Sequence, residues 1–238
     1  MRTLIFAFFS GLLSLTPSYA IAASDGIHLD AVEIDLNDKA SLQRGAKTFV
    51  NYCLSCHQAS FMRYNRMAKD IGLTDEQVTK NLMFASDKVG DTMTIAMRPD
   101  DAKKWFGVSP PDLSVISRAK GTDWLYTYFR TFYLDDTKKA TGTNNLTFKD
   151  VGMPHVLWQQ QGYLAKDDES HGLISATTGK KSNHEYNVMI QDLTNFLAYI
   201  GEPSKIQRLA LAKWVLLYLV LFFLVAYPMK KAFWRDIH

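Results

Sequence analysis

The hydrophobic and polar positions along the chain predict a helical body. Leu42, Ala46 and Phe49 recur at helical spacing, so a short helix is expected from about Lys39 to the cysteine pair that follows. Apolar residues at similar spacing mark three further segments, "TDEQVTKNLMFA", "TDWLYTYFRTFYL" and "SNHEYNVMIQDLTNFLAYIGEP". Residues 136–182 lack this period and are predicted to be mostly loop. The pattern therefore indicates an all-α domain with little or no sheet.

Local signals indicate where several of these helices begin. Thr74 with Gln77, and Ser182 with Glu185, form capping boxes, in which side chains and backbone N–H groups pair reciprocally. The proline pair that opens "PPDLSVISRA" predicts a further helix start, because proline is favoured in the first helical turn. Gly45 adjoins the apolar face of the first helix, where it lets an aromatic side chain of another helix approach closely.

The C-terminal apolar run predicts a membrane-spanning helix. It extends from Leu209 to Met229, which is 21 residues with one charge, Lys213, close to its start. At about 1.5 Å of rise per residue, a helix of this length spans roughly 30 Å, the thickness of a hydrocarbon core. We expect it to cross the membrane once. A buried helix of a soluble protein is the alternative, but the rest of the chain is too small to surround it on all sides.

The N-terminal residues have the pattern of an export signal. Arg2 precedes an apolar run from Leu4 to Leu15, and small residues typical of cleavage sites follow. An N-terminal membrane anchor is less favoured, because the run is short and ends in this processing-type sequence. Basic residues flank both ends of the C-terminal span, so the export signal decides the orientation. We expect a signal peptide at 1–22, an exported body at 23–204, and an anchor with a short cytoplasmic tail at 205–238.

Charge is unevenly distributed along the chain. The net charge is +3, but residues 205–238 hold six Lys or Arg against one Asp, and Arg2 belongs to the signal. The exported body is therefore mildly acidic. This balance argues against a nucleic-acid partner and permits a basic protein partner.

The two cysteines of the chain lie in "VNYCLSCHQAS", where Cys53 and Cys56 are followed by His57. An oxidising compartment permits a disulfide, but a thioredoxin-like pair usually lies in a βαβ unit, and no β-rich segment precedes Cys53. Structural zinc needs two further ligands, and the other histidines are scattered. Cys-x-x-Cys-His is the attachment spacing of c-type haem, in which two sulfurs reach the vinyl positions of one porphyrin and the imidazole points at the iron. Covalent haem through Cys53 and Cys56, ligated by His57, is the favoured interpretation.

A haem that carries electrons without binding small molecules needs a second axial ligand. Met153, in "KDVGMPHVLW", lies between a glycine and a proline, where an extended chain presents a side chain free of helical packing. The preceding segment "TKKATGTNNLTF" is polar and irregular, as expected of a ligand-bearing loop. Met93 and Met97 are alternatives, and His155 would give a bis-histidine site. The local sequence favours Met153 and leaves these alternatives open.

The order of the motifs resembles a known family. "RGAKTFVNYCLSCH", "SPPDLSVISRAKG", "VGMPHVLW" and "DLTNFLAYIGEP" follow one another and lead into the anchor and "YPMKKAFWRDIH". From about residue 25 to the C-terminus, the chain resembles the cytochrome c1 family of proteobacterial type, the haem c subunits of the ubiquinol:cytochrome c oxidoreductase (cytochrome bc1) complex. A Cys-x-x-Cys-His motif alone would not be specific, whereas this order with a C-terminal anchor is typical of that family.

The resemblance implies roles for individual residues. Cys53 and Cys56 match the thioether cysteines, and His57 and Met153 match the two axial ligands of the iron. It thus selects Met153 among the open candidates. The expected fold is a class I cytochrome c-like haem domain, in which the N- and C-terminal helices cross beside the haem, followed by one transmembrane helix.

Further contacts to the haem are implied by the same resemblance. Pro110 and Pro111 match the stretch that lines the haem crevice, and Arg118 lies on the segment whose basic residues meet a haem propionate. Lys120 is nearby and able to share or replace that role. Without the resemblance, Arg118 and Lys120 would be interpreted as the solvated end of a helix.

The resemblance also implies the function and the partners. Electrons taken from ubiquinol are expected to pass from the Rieske iron–sulfur subunit through this haem to cytochrome c, with no substrate-transforming site in this chain. Cytochrome b would lie beside the anchor in the lipid of the inner (cell) membrane, the haem domain would face the periplasm, and the complex would be dimeric. A free-standing membrane-anchored cytochrome that shuttles electrons to a terminal oxidase is the alternative. An exported thiol:disulfide enzyme is a third hypothesis, of another class.

Overall fold

The computed structural model describes residues 28–138, 141–167 and 172–235. The expected signal peptide lies outside these residues. The described helices are α1 (Lys39–Tyr52), α2 (Tyr64–Ile71), α3 (Asp75–Asn81), α4 (Pro99–Phe106), α5 (Ile116–Lys120), α6 (Thr122–Arg130), α7 (Trp158–Gln161), α8 (Asn183–Gly201) and α9 (Lys205–Phe233). The described strands are β1 (Ala59–Arg63), β2 (Thr92–Met93), β3 (Phe132–Leu134), β4 (Thr143–Asn145), β5 (Leu164–Lys166) and β6 (Leu173–Ser175). Helices dominate, and the predicted all-α class is confirmed.

Two helices far apart in sequence, α1 and α8, form the central packing of the body. A Cβ atom on Gly45 would lie 2.1 Å from the backbone oxygen of Asp192 and 2.6 Å from Cβ of Phe196, so only glycine allows this approach. The rings of Phe49 and Phe196 pack with centroids 5.5 Å apart. Arg44 donates two hydrogen bonds to the Asp192 carboxylate, at 2.6 and 2.9 Å. This crossing fixes the C-terminal end of α1, where the cysteine pair begins.

Both predicted capping boxes are present. Thr74 Oγ1 accepts from the backbone N–H of Gln77 at 3.2 Å, and Gln77 Oε1 accepts from the backbone N–H of Thr74 at 2.9 Å, which starts α3. Ser182 and Glu185 make the equivalent reciprocal pair at α8. These contacts satisfy backbone N–H groups that the first turn of a helix otherwise leaves without partners.

The prediction of a helix start at Pro110 and Pro111 is wrong. Helix α5 begins at Ile116, and the two prolines precede it outside any helix. The backbone N–H of Leu113 donates to the backbone oxygen of Gln58 at 2.8 Å. The proline segment is therefore tied to the chain that follows the cysteine pair, and a long-range contact overrides the local helix signal.

Within the described part of the chain, three two-stranded antiparallel sheets interrupt the helical body, in the pairs β1–β2, β3–β4 and β5–β6. In the second sheet, Phe132 pairs with Asn145 and Leu134 pairs with Thr143. Three of the strands and the short α7 lie within residues 136–182, where mostly loop was expected. Strands of three residues are too short to show an alternation of apolar and polar positions, which is why the sequence pattern does not reveal them.

Helix α9 has the properties of a membrane anchor. It has 29 residues, none of them is buried, and an 18-residue window reaches a mean hydropathy of 2.5. It contains the predicted span Leu209–Met229. Among the described residues it is the one helix long and apolar enough to cross a membrane. An apolar helix with so little protein packing requires a lipid or protein environment to cover it.

Candidate functional site

An apolar cavity of about 320 Å³ lies at the C-terminal end of α1. Most of its lining comes from the end of α1, the segment before α5, the helices α5 and α6, and the loop between β4 and α7, and α4 and α8 contribute one residue each. Six of the seven residues that the sequence analysis assigned to a haem line it, namely Cys53, Cys56, His57, Pro110, Pro111 and Met153. Residues separated by up to about a hundred positions are thus brought to one place.

The two cysteines lie on a tight turn that continues α1. The backbone N–H of Cys53 donates to Phe49 O at 2.8 Å, and the N–H groups of Cys56 and His57 donate to Cys53 O at 3.0 and 2.8 Å. The two cysteines form no disulfide with each other, and Cys53 is 5% exposed. Burial, reinforced by the neighbouring Cys56, raises the pKa of the Cys53 thiol to about 12. A thiol of this kind is a poor nucleophile, which argues against thiol–disulfide exchange.

The backbone fixes the orientation of the His57 ring. Nδ1 of His57 lies 2.8 Å from the carbonyl oxygen of Pro111, so Nδ1 carries the proton and donates it to this acceptor. Burial lowers the pKa of His57, and the Pro111 contact offsets this only in part. The imidazole is therefore neutral, and its Nε2 lone pair is available to a metal.

Asp112 holds the carbonyl that orients His57. Its carboxylate accepts from the backbone N–H of Ser60 at 3.2 Å, from the Ser60 hydroxyl, and from the backbone N–H of Ser114 at 2.7 Å. Burial opposes ionisation of Asp112, but the hydrogen bonds from Ser114 and Ser60 outweigh it and lower the pKa of this carboxyl. The segment around Pro111 is thereby clamped to β1, directly after the cysteine motif. Asp112 and Ser114 were not identified from the sequence, because their partners in β1, Ser60 and Phe61, are far away along the chain.

Met153 receives a hydrogen bond from an aromatic residue of α6. Tyr128 Oη donates to Met153 Sδ at 3.4 Å. Tyr128 is buried, and burial raises its pKa, so the phenol keeps its proton and remains a donor. The Met153 thioether is therefore held by a polar partner inside a largely apolar cavity.

The alternative second ligands lie elsewhere. Met93 is fully buried in β2, and neither Met93 nor Met97 lines the cavity. His155 is 3% exposed and stacks on Phe132 at 5.0 Å between ring centroids, also outside the cavity lining. Among these four candidates, Met153 alone lines the cavity with His57.

Lys120, and not Arg118, lies at the cavity. Lys120 Nζ is 5.2 Å from the ring centroid of Trp124 and 5.7 Å from that of Phe148, and all three residues line the cavity. Arg118 is absent from the lining and lies against α8, since a Cβ atom on Gly201 would be 3.6 Å from its Cγ. Although Lys120 and Arg118 are only two positions apart on the short α5, Lys120 lies at the cavity and Arg118 lies near α8.

Aromatic side chains that the sequence analysis did not assign form part of the cavity wall. Trp124 and Tyr128 stack with centroids 4.9 Å apart and planes at 10°. Phe148 packs edge-on against Trp124 at 6.2 Å. The spacing of Trp124 and Tyr128, four residues apart on a predicted amphipathic helix, was the available signal that both face one side.

The cavity residues fit a covalently attached haem. They provide two adjacent thiols, a neutral imidazole, a thioether, one cation and apolar aromatic walls. Within residues 28–138, 141–167 and 172–235, no group of three or more His, Cys, Asp or Glu is arranged to hold a metal ion. The zinc alternative for the cysteine pair therefore lacks further protein ligands there.

Similar proteins are known from several bacteria. A family model described as the Cytochrome C1 family matches residues 32–237. Cytochrome c1 of Allochromatium vinosum is 47% identical to this chain over 248 residues, covering 100% of both. Cytochrome c1 of Rhodospirillum rubrum is 23% identical, over 84% of this chain and 83% of that protein.

One relative carries a different name. The protein named ammonia monooxygenase gamma subunit of Nitrosomonas europaea is also 47% identical, over 94% of this chain and 95% of that protein. A solved structure of a hyperthermophilic respiratory Complex III aligns with 100% of this chain and 98% of its own, at a TM-score of 0.42 and 15% identity. That likeness is too distant to carry an argument.

Proposed function

Because this chain belongs to the cytochrome c1 family, we propose that Cys53, Cys56, His57 and Met153 hold its haem. The family carries covalent haem c and supplies the electron-transfer subunit of the cytochrome bc1 complex, and this chain has that role. One observation carries the residue assignment: 96 positions separate His57 from Met153, yet both line the cavity that the two cysteines enter.

Each of these residues has a role that follows from its chemistry. Cys53 and Cys56 would hold the haem through thioether bonds. His57 would bind its iron through Nε2, because Nδ1 is committed to the Pro111 carbonyl. Met153 would bind it through Sδ. When bound, the haem supplies a one-electron ferric–ferrous couple, and a thioether ligand favours its ferrous state.

The surrounding residues keep this site closed and apolar. His57 and Met153 together would leave no position of the iron open to small molecules, and the same two side chains would serve both oxidation states. Pro110 and Pro111 contribute apolar wall. Lys120, which lines the cavity, would pair with a haem carboxylate, whereas Arg118 lies near α8 outside that lining.

The partners that we propose for this chain are those of its family. The chain is a membrane-anchored member of a respiratory oxidoreductase complex. Within it, the Rieske iron–sulfur subunit donates the electron, cytochrome b lies beside α9 in the lipid, and cytochrome c accepts the electron from this haem. The complex is dimeric, and the body lies in the periplasm because the export signal carries it across the inner membrane. The quinol reaction itself belongs to another subunit.

Ammonia monooxygenase is an alternative assembly, because the N. europaea relative is named as one of its subunits. A free-standing cytochrome that shuttles electrons to an oxidase is a further possibility with the same haem site. Extraction in mild detergent followed by identification of the co-purifying subunits separates these cases. Cytochrome b and a Rieske protein are expected. Monooxygenase subunits, or no partner at all, would contradict the proposed assembly.

Haem staining after denaturing electrophoresis tests the attachment. The full chain is expected to keep its stain, and Cys53→Ser together with Cys56→Ser is expected to abolish it, because no thioether bond remains. Met93→Leu is the matched control, since Met93 is buried outside the cavity and should leave the stain unchanged. Pigment that acid acetone extracts from the wild-type chain would overturn covalent attachment.

A further inference from the structure

We propose that Asn144 and Asn145, two neighbouring residues of β4, are positioning residues that hold the Met153 thioether in place as a haem ligand. The inference rests on the proposed function, in which Met153 is the second axial ligand. It assigns a purpose to the polar segment "TNN" of β4, which the sequence analysis treated as irregular loop.

All three side chains of β4 are polar and buried. Thr143, Asn144 and Asn145 are 2%, 3% and 1% exposed. Removing three consecutive polar side chains from water is costly unless each finds hydrogen-bond partners. Four of their hydrogen-bond partners lie on the loop that carries Met153, namely Thr147, Phe148, Asp150 and His155.

Asn144 fixes the loop three residues before Met153. Its Oδ1 accepts from the backbone N–H of Asp150 at 2.9 Å and from that of Asn145 at 2.9 Å, while its Nδ2 donates to Asp135 Oδ2 at 2.9 Å. Asp150 has a φ of 63°, a left-handed conformation that is unfavourable for residues other than glycine. The hydrogen bond that the Asp150 N–H donates to Asn144 secures the backbone where the chain makes this turn towards Met153.

Asn145 fixes the start of the same loop and joins it to α6. Its Oδ1 accepts from the backbone N–H groups of Thr147 and Phe148, at 2.8 and 3.0 Å, and from the Thr131 hydroxyl at 3.3 Å. Its Nδ2 donates to the backbone oxygen of Tyr128 at 2.7 Å. Tyr128 is the residue whose hydroxyl reaches Met153 Sδ, so one side chain ties the ligand loop to the donor of the ligand's hydrogen bond.

Thr143 completes the set on the far side of Met153. Its Oγ1 accepts from the backbone N–H of His155 at 3.3 Å. The three side chains of β4 therefore hold the loop before and after Met153, and β4 itself is paired to β3. The loop has a rigid support even though it contains little regular structure of its own.

A thioether needs such support because it is a weak, neutral ligand whose bond to iron is easily replaced. Holding a ligand in its bound position lowers the ordering cost of forming that bond. Residues that orient metal ligands typically change metal binding or activity roughly tenfold to hundredfold when removed. Loss of Asn144 or Asn145 should therefore free Met153 from the iron for part of the time.

Carbon monoxide binding to the ferrous haem tests this in the detergent-solubilised full chain. Asn145→Ala and Asn144→Ala are each expected to raise the rate of carbon monoxide binding roughly tenfold to hundredfold. They should also lower the midpoint potential and weaken the far-red sulfur-to-iron charge-transfer absorption of the ferric protein. These spectroscopic readouts follow the Met153 bond itself and not the overall stability of the chain.

Asn195→Ala is the matched control. Asn195 is an equally buried asparagine, 2% exposed, whose Nδ2 donates to Asp35 O at 2.8 Å and to Ser41 Oγ at 3.1 Å, outside the cavity lining. Its loss should lower the unfolding midpoint and leave carbon monoxide binding unchanged. If the Asn144 and Asn145 variants behave like Asn195→Ala, the inference is overturned. If an alanine variant does not accumulate, carbon monoxide binding is measured on Asn144→Ser, which keeps a smaller polar group.

Met153→Leu separates this inference from the proposed function. If Met153→Leu neither opens the haem to carbon monoxide nor lowers the potential, Met153 is not the ligand and the proposed ligand set fails. If Met153→Leu opens the site while both asparagine variants match the control, the ligand set stands and only the role of Asn144 and Asn145 is overturned. If carbon monoxide binds faster in all three variants, both the proposed ligand set and the role of Asn144 and Asn145 are supported.

Discussion

Two hydrogen bonds position the Met153 and His57 side chains at the cavity. The Tyr128 hydroxyl donates to Met153 Sδ at 3.4 Å, and the Pro111 carbonyl accepts from His57 Nδ1 at 2.8 Å. The first contact withdraws electron density from the thioether, and the second leaves the Nε2 atom of His57 free. Each of the two proposed iron ligands thus has one neighbour that adjusts it, and hydrogen bonds to ligating atoms are among the factors that set the potential of a haem.

Tyr128→Phe should lower the midpoint potential. A hydrogen bond of this kind contributes about 0.5–1.5 kcal/mol, which corresponds to roughly 20–60 mV for a one-electron couple. The potential falls because the sulfur becomes more electron-rich and stabilises the ferric state. Redox titration of the purified protein measures the shift.

Tyr199→Phe is the control for that titration. The Tyr199 hydroxyl contacts Met62 Sδ at 3.9 Å and donates to Asp70 at 2.9 Å, but Tyr199 does not line the cavity. The midpoint potential of the Tyr199→Phe variant should therefore equal that of the wild type. An unchanged potential in Tyr128→Phe would show that its contact with Met153 does not affect the iron.

The helices contribute by bringing distant segments to the cavity. The close crossing of α1 and α8 at Gly45 places the end of α1, and with it the cysteine pair, at a defined point of the body. The short α5 presents Lys120 to the cavity and Arg118 to α8. The buried strand β4 supports the loop of Met153. Each element is brief, so its position depends on what it packs against.

Gly45→Ala should destabilise the body by about 3 kcal/mol, the upper part of the range for overpacking. The added methyl would lie 2.1 Å from the backbone oxygen of Asp192, so α1 and α8 must move apart. Urea unfolding monitored by fluorescence gives the change. Gly90→Ala is the control, because its added Cβ would meet nothing within 4 Å. Equal stabilities of the two variants would show that the helix crossing is not tightly packed.

The molecule as a whole separates a packed body from an anchor that has no share in its core. No residue of α9 is buried, whereas α8 supplies many of the core residues. The hydrophobic effect that stabilises the body therefore does not depend on α9. The anchor keeps the body at the membrane, where its partners are expected.

Deletion of residues 205–238 should release a soluble, haem-bearing body. Its absorption spectrum and midpoint potential should match those of the full chain, because the cavity and its supports lie before α9. Fractionation of membranes followed by haem staining measures the release. Pro228→Ala in the full-length chain is the control and should stay in the membrane. A truncated chain that remains membrane-bound after a high-salt wash would show that the body binds the membrane or a partner without α9.

Much of this molecule could be predicted from local sequence. Periodic apolar positions predicted α1, α3, α6 and α8, capping boxes marked two helix starts, and a long apolar run marked the anchor. The Cys-x-x-Cys-His spacing indicated covalent haem c, in agreement with the family. These signals depend on residues a few positions apart, because helical periodicity, capping and thioether attachment all act over a few turns at most.

The remaining features come from contacts between distant residues. The tie between His57 and Pro111 spans 54 positions, and the clamp between Ser60 and Asp112 spans 52. Local propensity predicted a helix start at Pro110 and Pro111 and loop at residues 143–145. Packing against other segments instead leaves the prolines outside any helix and forms the strand β4. Long-range packing also decides which residues line the cavity and which are buried. It places Lys120 in the lining, leaves Met93, Met97 and His155 out of it, and buries Asn144 and Asn145. Short-range chemistry specifies which group the chain can carry, whereas long-range packing selects the side chains that surround it, because only the folded chain brings them within hydrogen-bond distance.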